Sequence, residues 1–149
     1  MGLKEFLSRH RLVGIDTMVF IYYLEDHPTY APLLGPLFEA LEKGDIEGAT
    51  SVITLLEILV KPKSEGHTEA AREYLDLLTT YPHLTVVEVD LGIVDLASDL
   101  RAKYAIRTPD ALQIAAGLSL GATGFLTNDG RLKRVTELEV LLLDEIEKP

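Results

Sequence analysis

The chain contains no cysteine and no tryptophan, and aromatic residues make up only 7% of it. Without thiols there is no disulfide, no cysteine-held zinc and no thiol nucleophile, so any metal must be taken by oxygen or by histidine. His10, His27, His67 and His83 are scattered without metal-ligand spacing, and surface positions are the default for them. No apolar run approaches the roughly 18 residues of a membrane span. The opening MGLKEFLSRHRLVGID has no continuous apolar stretch ahead of a small-residue cleavage site. A cytoplasmic location without membrane contact is therefore the expectation. Positive charge is also short, with 14 Lys and Arg against 24 Asp and Glu, a formal net charge of −10. That argues against a broad basic face for gripping nucleic acid. It does not exclude a phosphodiester substrate, because divalent cations reverse the local sign of a carboxylate-rich pocket. Neither a G-x-G-x-x-G nor a Walker A pattern is present, which disfavours a nucleotide cofactor.

What is present is an ordinary globular mixture: 47% apolar and 26% charged residues in a chain of 149. Residues 1–149 are enough for one domain that buries most of its apolar surface. Leu12-Val13-Gly14-Ile15 is a short apolar run ending at Asp16, the pattern of a buried strand whose end meets solvent. Thr17 to Glu25 follows as a helix stopped by His27-Pro28. Leu34, Leu37, Phe38 and Leu41 form a helical face closed by Gly44 at the C-terminal cap. Ala49–Ile53 reads as strand two, and Thr54-Leu55-Leu56-Glu57 has the form of a capping box opening the next helix. Glu69–Thr79 is helical, Leu84–Val89 is β-branched and reads as strand three, and Ile93–Tyr104 is an amphipathic helix. Thr108-Pro109-Asp110 suits a helix start, with Thr as cap, and that helix runs to about Leu120. Gly124–Thr127 gives strand four, Asn128-Asp129-Gly130 a turn or helix start, and Val140–Leu143 strand five. Strands alternating with helices imply an α/β/α sandwich around a mainly parallel five-stranded sheet.

In open α/β sheets, ligands gather at the carboxyl ends of the strands. Four acids fall there: Asp16 closes strand one, Glu57 follows strand two, Asp110 lies in the first turn of the helix before strand four, and Asp129 follows strand four. Carboxylates crowded on one rim repel one another unless a cation compensates them, and a hard oxygen-loving ion such as magnesium or manganese suits that set. Such an ion supports phosphodiester hydrolysis without a serine, cysteine or histidine nucleophile. Each of three acids also has a local explanation: Glu57 completing the capping box with Thr54, Asp110 favouring the helix dipole, Asp129 serving a turn. Asp16 is harder to explain so, because an acid that ends an apolar strand forfeits burial unless something holds it. Arg107, Arg131, Lys133 and Arg134 flank the rim. Phosphate contact is an even match with solvated surface charge for Arg107 and Arg131, and surface charge suits the other two. Phe20, Tyr22 and Tyr23 could stack bases, but packing is the simpler role.

Gly14-Ile15-Asp16-Thr17, Ser51 with Leu56-Glu57, Arg107-Thr108-Pro109-Asp110-Ala111-Leu112-Gln113-Ile114-Ala115 and Leu126-Thr127-Asn128-Asp129 together resemble a PIN domain, and in size the chain is similar to a VapC-type toxin. The TPDALQIAA segment is the most specific of these, and the similarity spans Val13 to about Leu143. The resemblance implies a five-stranded parallel sheet, magnesium- or manganese-dependent cleavage of RNA, frequent homodimers and, in toxin members, a small antitoxin that blocks the site. Carried over residue by residue, the catalytic and metal-holding positions are Asp16, Glu57, Asp110 and Asp129, with Thr127, Ser51 and Thr17 as polar support. The competing reading is a catalytically silent PIN-like module that keeps the acids but binds a protein partner or RNA. A phosphatase with an aspartyl nucleophile usually has a second Asp two residues after the first, where this chain has Met18.

Overall fold

The computed structural model describes residues 1–148; Pro149, the last residue of the expected domain, lies outside them. Five strands, β1 (Leu12–Ile15), β2 (Glu47–Ser51), β3 (Leu84–Val87), β4 (Gly124–Thr127) and β5 (Glu139–Leu142), form one sheet in the order β3-β2-β1-β4-β5. All four ladders are parallel. Among the described residues seven α-helices connect and cover them: α1 (Leu3–Ser8), α2 (Thr17–Leu24), α3 (Ala31–Lys43), α4 (Val52–Ser64), α5 (Thr68–Thr80), α6 (Leu91–Tyr104) and α7 (Thr108–Ser119). The α/β/α sandwich expected from the alternation of patterns is the observed architecture. No helix among the described residues is long and apolar enough to cross a membrane.

The twofold alternation of strand side chains divides the interior into two cores. Val13, Ile15, Leu126 and Leu141 face one way and pack with Phe6, Val19, Phe20, Leu34, Leu37 and Ile58 from the first four helices. Phe125 and Val140, one residue out of step, face the other way and pack with Ile93, Ala97 and Leu100 of α6 and Ala111, Ile114 and Ala115 of α7. Both faces are therefore covered, which is why the central strand β1 reads as a continuous apolar run. On the α7 side the middle of β1 offers Gly14. A Cβ there would stand 2.6 Å from the Phe125 ring, and one built on Gly117 of α7 would lie 3.5 Å from the Gly14 Cα. The missing side chains let the ring and the helix lie directly on the central strand.

Several boundaries differ from the sequence expectation, each for a local reason. β2 starts and ends two residues earlier than expected, and α4 is capped by Ser51, whose Oγ accepts from Ile53 N at 3.1 Å. Thr54 is thus not a cap and Glu57 completes no capping box. Thr108 likewise is the first helical residue of α7, behind Arg107 as the capping position, with no side-chain cap. Asp90 caps α6 through Ile93 N at 2.9 Å, so that helix begins at Leu91 and β3 stops at Val87. α1 has no counterpart in the sequence reading; its six residues bury Leu3, Phe6 and Leu7. Gly44 closes α3 at φ 75°, as its position suggested.

Gly14→Ala should lower stability by about 1–3 kcal/mol, because the added methyl overpacks a site with no room to yield. Urea unfolding measures it; an unchanged midpoint would mean that the Phe125 ring yields to the added methyl.

Candidate active site

β1 is the strand at which the winding of the sheet reverses, with β2 on one side and β4 on the other. Such a reversal leaves a crevice beyond the strand ends, because the following loops and helices part in opposite directions. A cleft of about 370 Å³ opens there, and Asp16, Glu57, Asp110 and Asp129 all line it. The four expected acids, from four separate segments of chain, thus share one cavity.

Asp16 ends β1 and caps α2, accepting from Thr17 N at 2.8 Å and from the Thr127 hydroxyl at 2.7 Å. Burial pushes its carboxyl above the usual range, and the charges of Asp110 and Glu57 push the same way, while the hydrogen bonds from Thr127 and Thr17 draw it back. Asp110, in the first turn of α7, is only 7% exposed and accepts from Arg107 Nε at 3.2 Å. Glu57 is exposed on α4 and accepts from the Thr17 hydroxyl at 2.8 Å. Asp129 caps a 3-10 turn over Gly130–Arg134. It is gripped by Arg131 through Nε at 3.0 Å and a terminal nitrogen at 2.8 Å, and that bond chiefly holds its carboxyl below the usual range.

Beneath these acids runs a buried polar network. Ser51 donates to Gln113 Oε1 from its backbone N at 3.2 Å and from its hydroxyl at 2.5 Å. A backbone N–H can only donate, so the amide oxygen is fixed on that side and Nε2 on the other. Nε2 then donates to Thr17 Oγ1 at 2.9 Å and to Thr54 Oγ1 at 2.6 Å, and Thr54 pairs with Thr50 at 2.7 Å. With a donor already at its oxygen, the Thr17 hydroxyl keeps its hydrogen for Glu57. Among the described residues no buried side-chain nitrogen or oxygen lacks a partner. Thr17 and Thr127 therefore touch the acids directly, whereas Ser51 supports them through Gln113. Gln113, Thr54 and Thr50 were missed in the sequence. The available signal is a lone amide inside the apolar run Ala111–Leu118, and the capping-box pattern that starts at Thr54 masks its buried role. Tyr22 also lines the cleft, stacked on Tyr30 at 4.5 Å, while Phe20 is core.

Four oxygen-donor acids, one of them a carboxylate that burial makes uncomfortable as an anion, are chemically suited to a hard divalent cation. The arrangement is less simple: among the described residues no three His, Asp or Glu stand together as a ready-made ion cage. Asp110 and Asp129 are engaged by arginines and Glu57 by Thr17, so the donor set fits an ion while its side chains are committed elsewhere.

The sequence model of the PIN domain matches residues 13–138. No curated protein matches the chain in sequence. Among solved structures the chain is similar to VapBC2 from Rickettsia felis, bound to a DNA fragment from its promoter, with a TM-score of 0.68 and 20% identity over 88% of this chain and 98% of that one. A toxin–antitoxin complex from Klebsiella pneumoniae gives 0.65 and 20%, over 91% of this chain and 99% of that one. FitAcB from Neisseria gonorrhoeae gives 0.64 and 18%, again over 91% and 99%. At such identities the likeness is one of fold.

A carboxyl whose folded-state pKa is raised favours the fold when protonated and disfavours it once ionised, so stability declines as pH rises through that pKa. Asp16→Asn in EDTA should therefore be more stable than the wild type at about pH 7, with the gap closing toward about pH 3, below the ordinary carboxylate value. Urea midpoints across that range test it. A variant less stable at neutral pH would show that the Thr127 and Thr17 hydrogen bonds outweigh burial.

Proposed function

Since the chain belongs to the PIN domain family, we propose that it is a magnesium- or manganese-dependent ribonuclease acting as the toxin of a toxin–antitoxin pair. The observation that carries this reading is the meeting of Asp16, Glu57, Asp110 and Asp129 in one cleft at the strand ends. These four would hold the ion, which when bound supplies Lewis acidity toward a phosphoryl oxygen and a lowered pKa for water.

The chain's own residues do the positioning. Thr127 and Thr17 N fix the two oxygens of Asp16, and the Thr17 hydroxyl fixes one oxygen of Glu57, so two of the acids are aimed before any substrate arrives. Arg107 lies on the cleft wall and Arg131 beside it, and their forked guanidinium groups suit the oxygens of a phosphodiester backbone. The open cleft admits a strand without a lid. An antitoxin partner is supported by the complexes that share the fold. A second, larger and mostly apolar groove runs alongside, between α2, α4 and α5, past Ile21, Leu24, Ile58 and Tyr74. It shares Glu57 with the acid cleft, so a segment laid in it would reach the acids.

Purified protein incubated with labelled RNA and Mn2+ should cut it, and Asp16→Asn should not. In the same preparation, Mn2+ at about 100 times its Kd should add roughly 2.7 kcal/mol to stability, seen as a higher melting temperature. RNA left intact by both proteins, with no thermal response, would favour the interaction-module reading. Co-expression with a short DNA-binding protein encoded beside it should suppress the cutting; continued cutting would remove the antitoxin from the proposal.

A further inference from the structure

The two arginines at the cleft do more than flank it. Arg131 places Nε at 3.0 Å from Asp129 Oδ1 and a terminal nitrogen at 2.8 Å from Oδ2, so a single guanidinium covers both carboxylate oxygens. Arg107 reaches Asp110 Oδ2 with Nε at 3.2 Å and Asp129 Oδ2 with a terminal nitrogen at 3.9 Å, bridging the two acids. The result is a chain of alternating charge, Asp110–Arg107–Asp129–Arg131, in which two of the four cleft acids are already neutralised. In a chain with 14 basic residues and 24 acidic ones, these are cations drawn from a short supply. Other ion pairs, such as Lys43 with Glu39 and Lys133 with Glu145, join residues that do not line the cleft.

A guanidinium and a divalent ion cannot share one carboxylate comfortably, because each repels the other and both want the same lone pairs. Asp129 has no oxygen left uncovered. The arginine side chains, however, are 63% and 57% exposed, so they can swing into solvent without opening the core. We propose that Arg107 and Arg131 form a built-in cation clamp: they occupy Asp110 and Asp129 in the ion-free protein and must release them before a divalent ion can bind. Removing the clamp then strengthens ion binding instead of weakening it, the reverse of what loss of a structural ion pair would do. The released guanidinium groups stay tethered at the rim, where they face the phosphates of a strand in the cleft. The clamp rests on the metal-dependent reading given above.

The test is Mn2+ binding to EDTA-stripped protein, followed by the paramagnetic resonance signal of the free ion. Arg131→Gln and Arg107→Gln should each bind Mn2+ about two- to fivefold more tightly, the range of a partly exposed charge pair. Arg131→Lys, which keeps the charge, should stay close to the wild type, and Arg72→Gln, exposed on α5, should equal it. At saturating Mn2+ the Gln variants should raise KM for RNA with little change in kcat, so ion and substrate affinities move in opposite directions. In the wild type, Mg2+ should shift the Arg131 Nε–H resonance as its bond to Asp129 breaks. Mn2+ binding by the wild type with unchanged or weaker binding by both Gln variants would overturn the clamp while leaving the metal reading intact. Absence of Mn2+ binding in every protein would remove the metal reading, and the clamp with it.

Discussion

The site is organised around the discomfort of one carboxylate. Asp16 sits where the central strand stops, mostly out of water, with Asp110 and Glu57 close enough for their charges to be felt. An anion so placed needs hydrogen bonds or positive charge, and the structure provides the first at once through Thr127 and Thr17. The second is provided around it: Arg107 and Arg131 take up the neighbouring Asp110 and Asp129. The threonines, the buried amide and the two arginines are successive answers to a single electrostatic problem created by ending an apolar strand in an acid.

The sheet explains why the acids meet at all. They are distant in sequence, yet parallel winding sends every strand end to one side, and the reversal at β1 parts the loops above it. Asp16 and Asp129 follow adjacent strands, Asp110 is carried on the helix that leads into β4, and Glu57 stands one turn into α4. Close contact of α7 with β1 through Gly14 brings Asp110 down to the level of the strand ends.

Much of this was legible in the sequence, because the determining signals are local. Apolar runs ending in polar residues marked the strands, and Gly44 and Pro109 marked helix ends. Placing the acids required only the alternation of strand and helix. What was not legible depended on tertiary partners. Ser51 and Thr54 are both good capping residues; the buried partners Gln113, Thr50 and Thr17 hold the Thr54 hydroxyl inward, and the cap is left to Ser51. α1 is too short for a helical period to be counted, and it becomes definite through the burial of Phe6 against the sheet. Gln113 looks like an interruption of an apolar helix until the three segments it joins are seen together. The pairing of Arg107 and Arg131 with acids was equally invisible, since charge on a rim is uninformative without its geometry.

The locked amide also determines how the cleft can move. Gln113 ties α7 to Ser51 at the end of β2, to Thr54 in α4 and to Thr17 at the start of α2, so the walls of the crevice share a common floor. Parting any two of them would strip buried donors of acceptors, which makes slow hinge-like opening costly. Freedom is left to the two guanidinium chains that project above that floor, since exposed side chains exchange rotamers in picoseconds to nanoseconds. Such a crevice can pass from one charge state to another without any change in the shape of the fold.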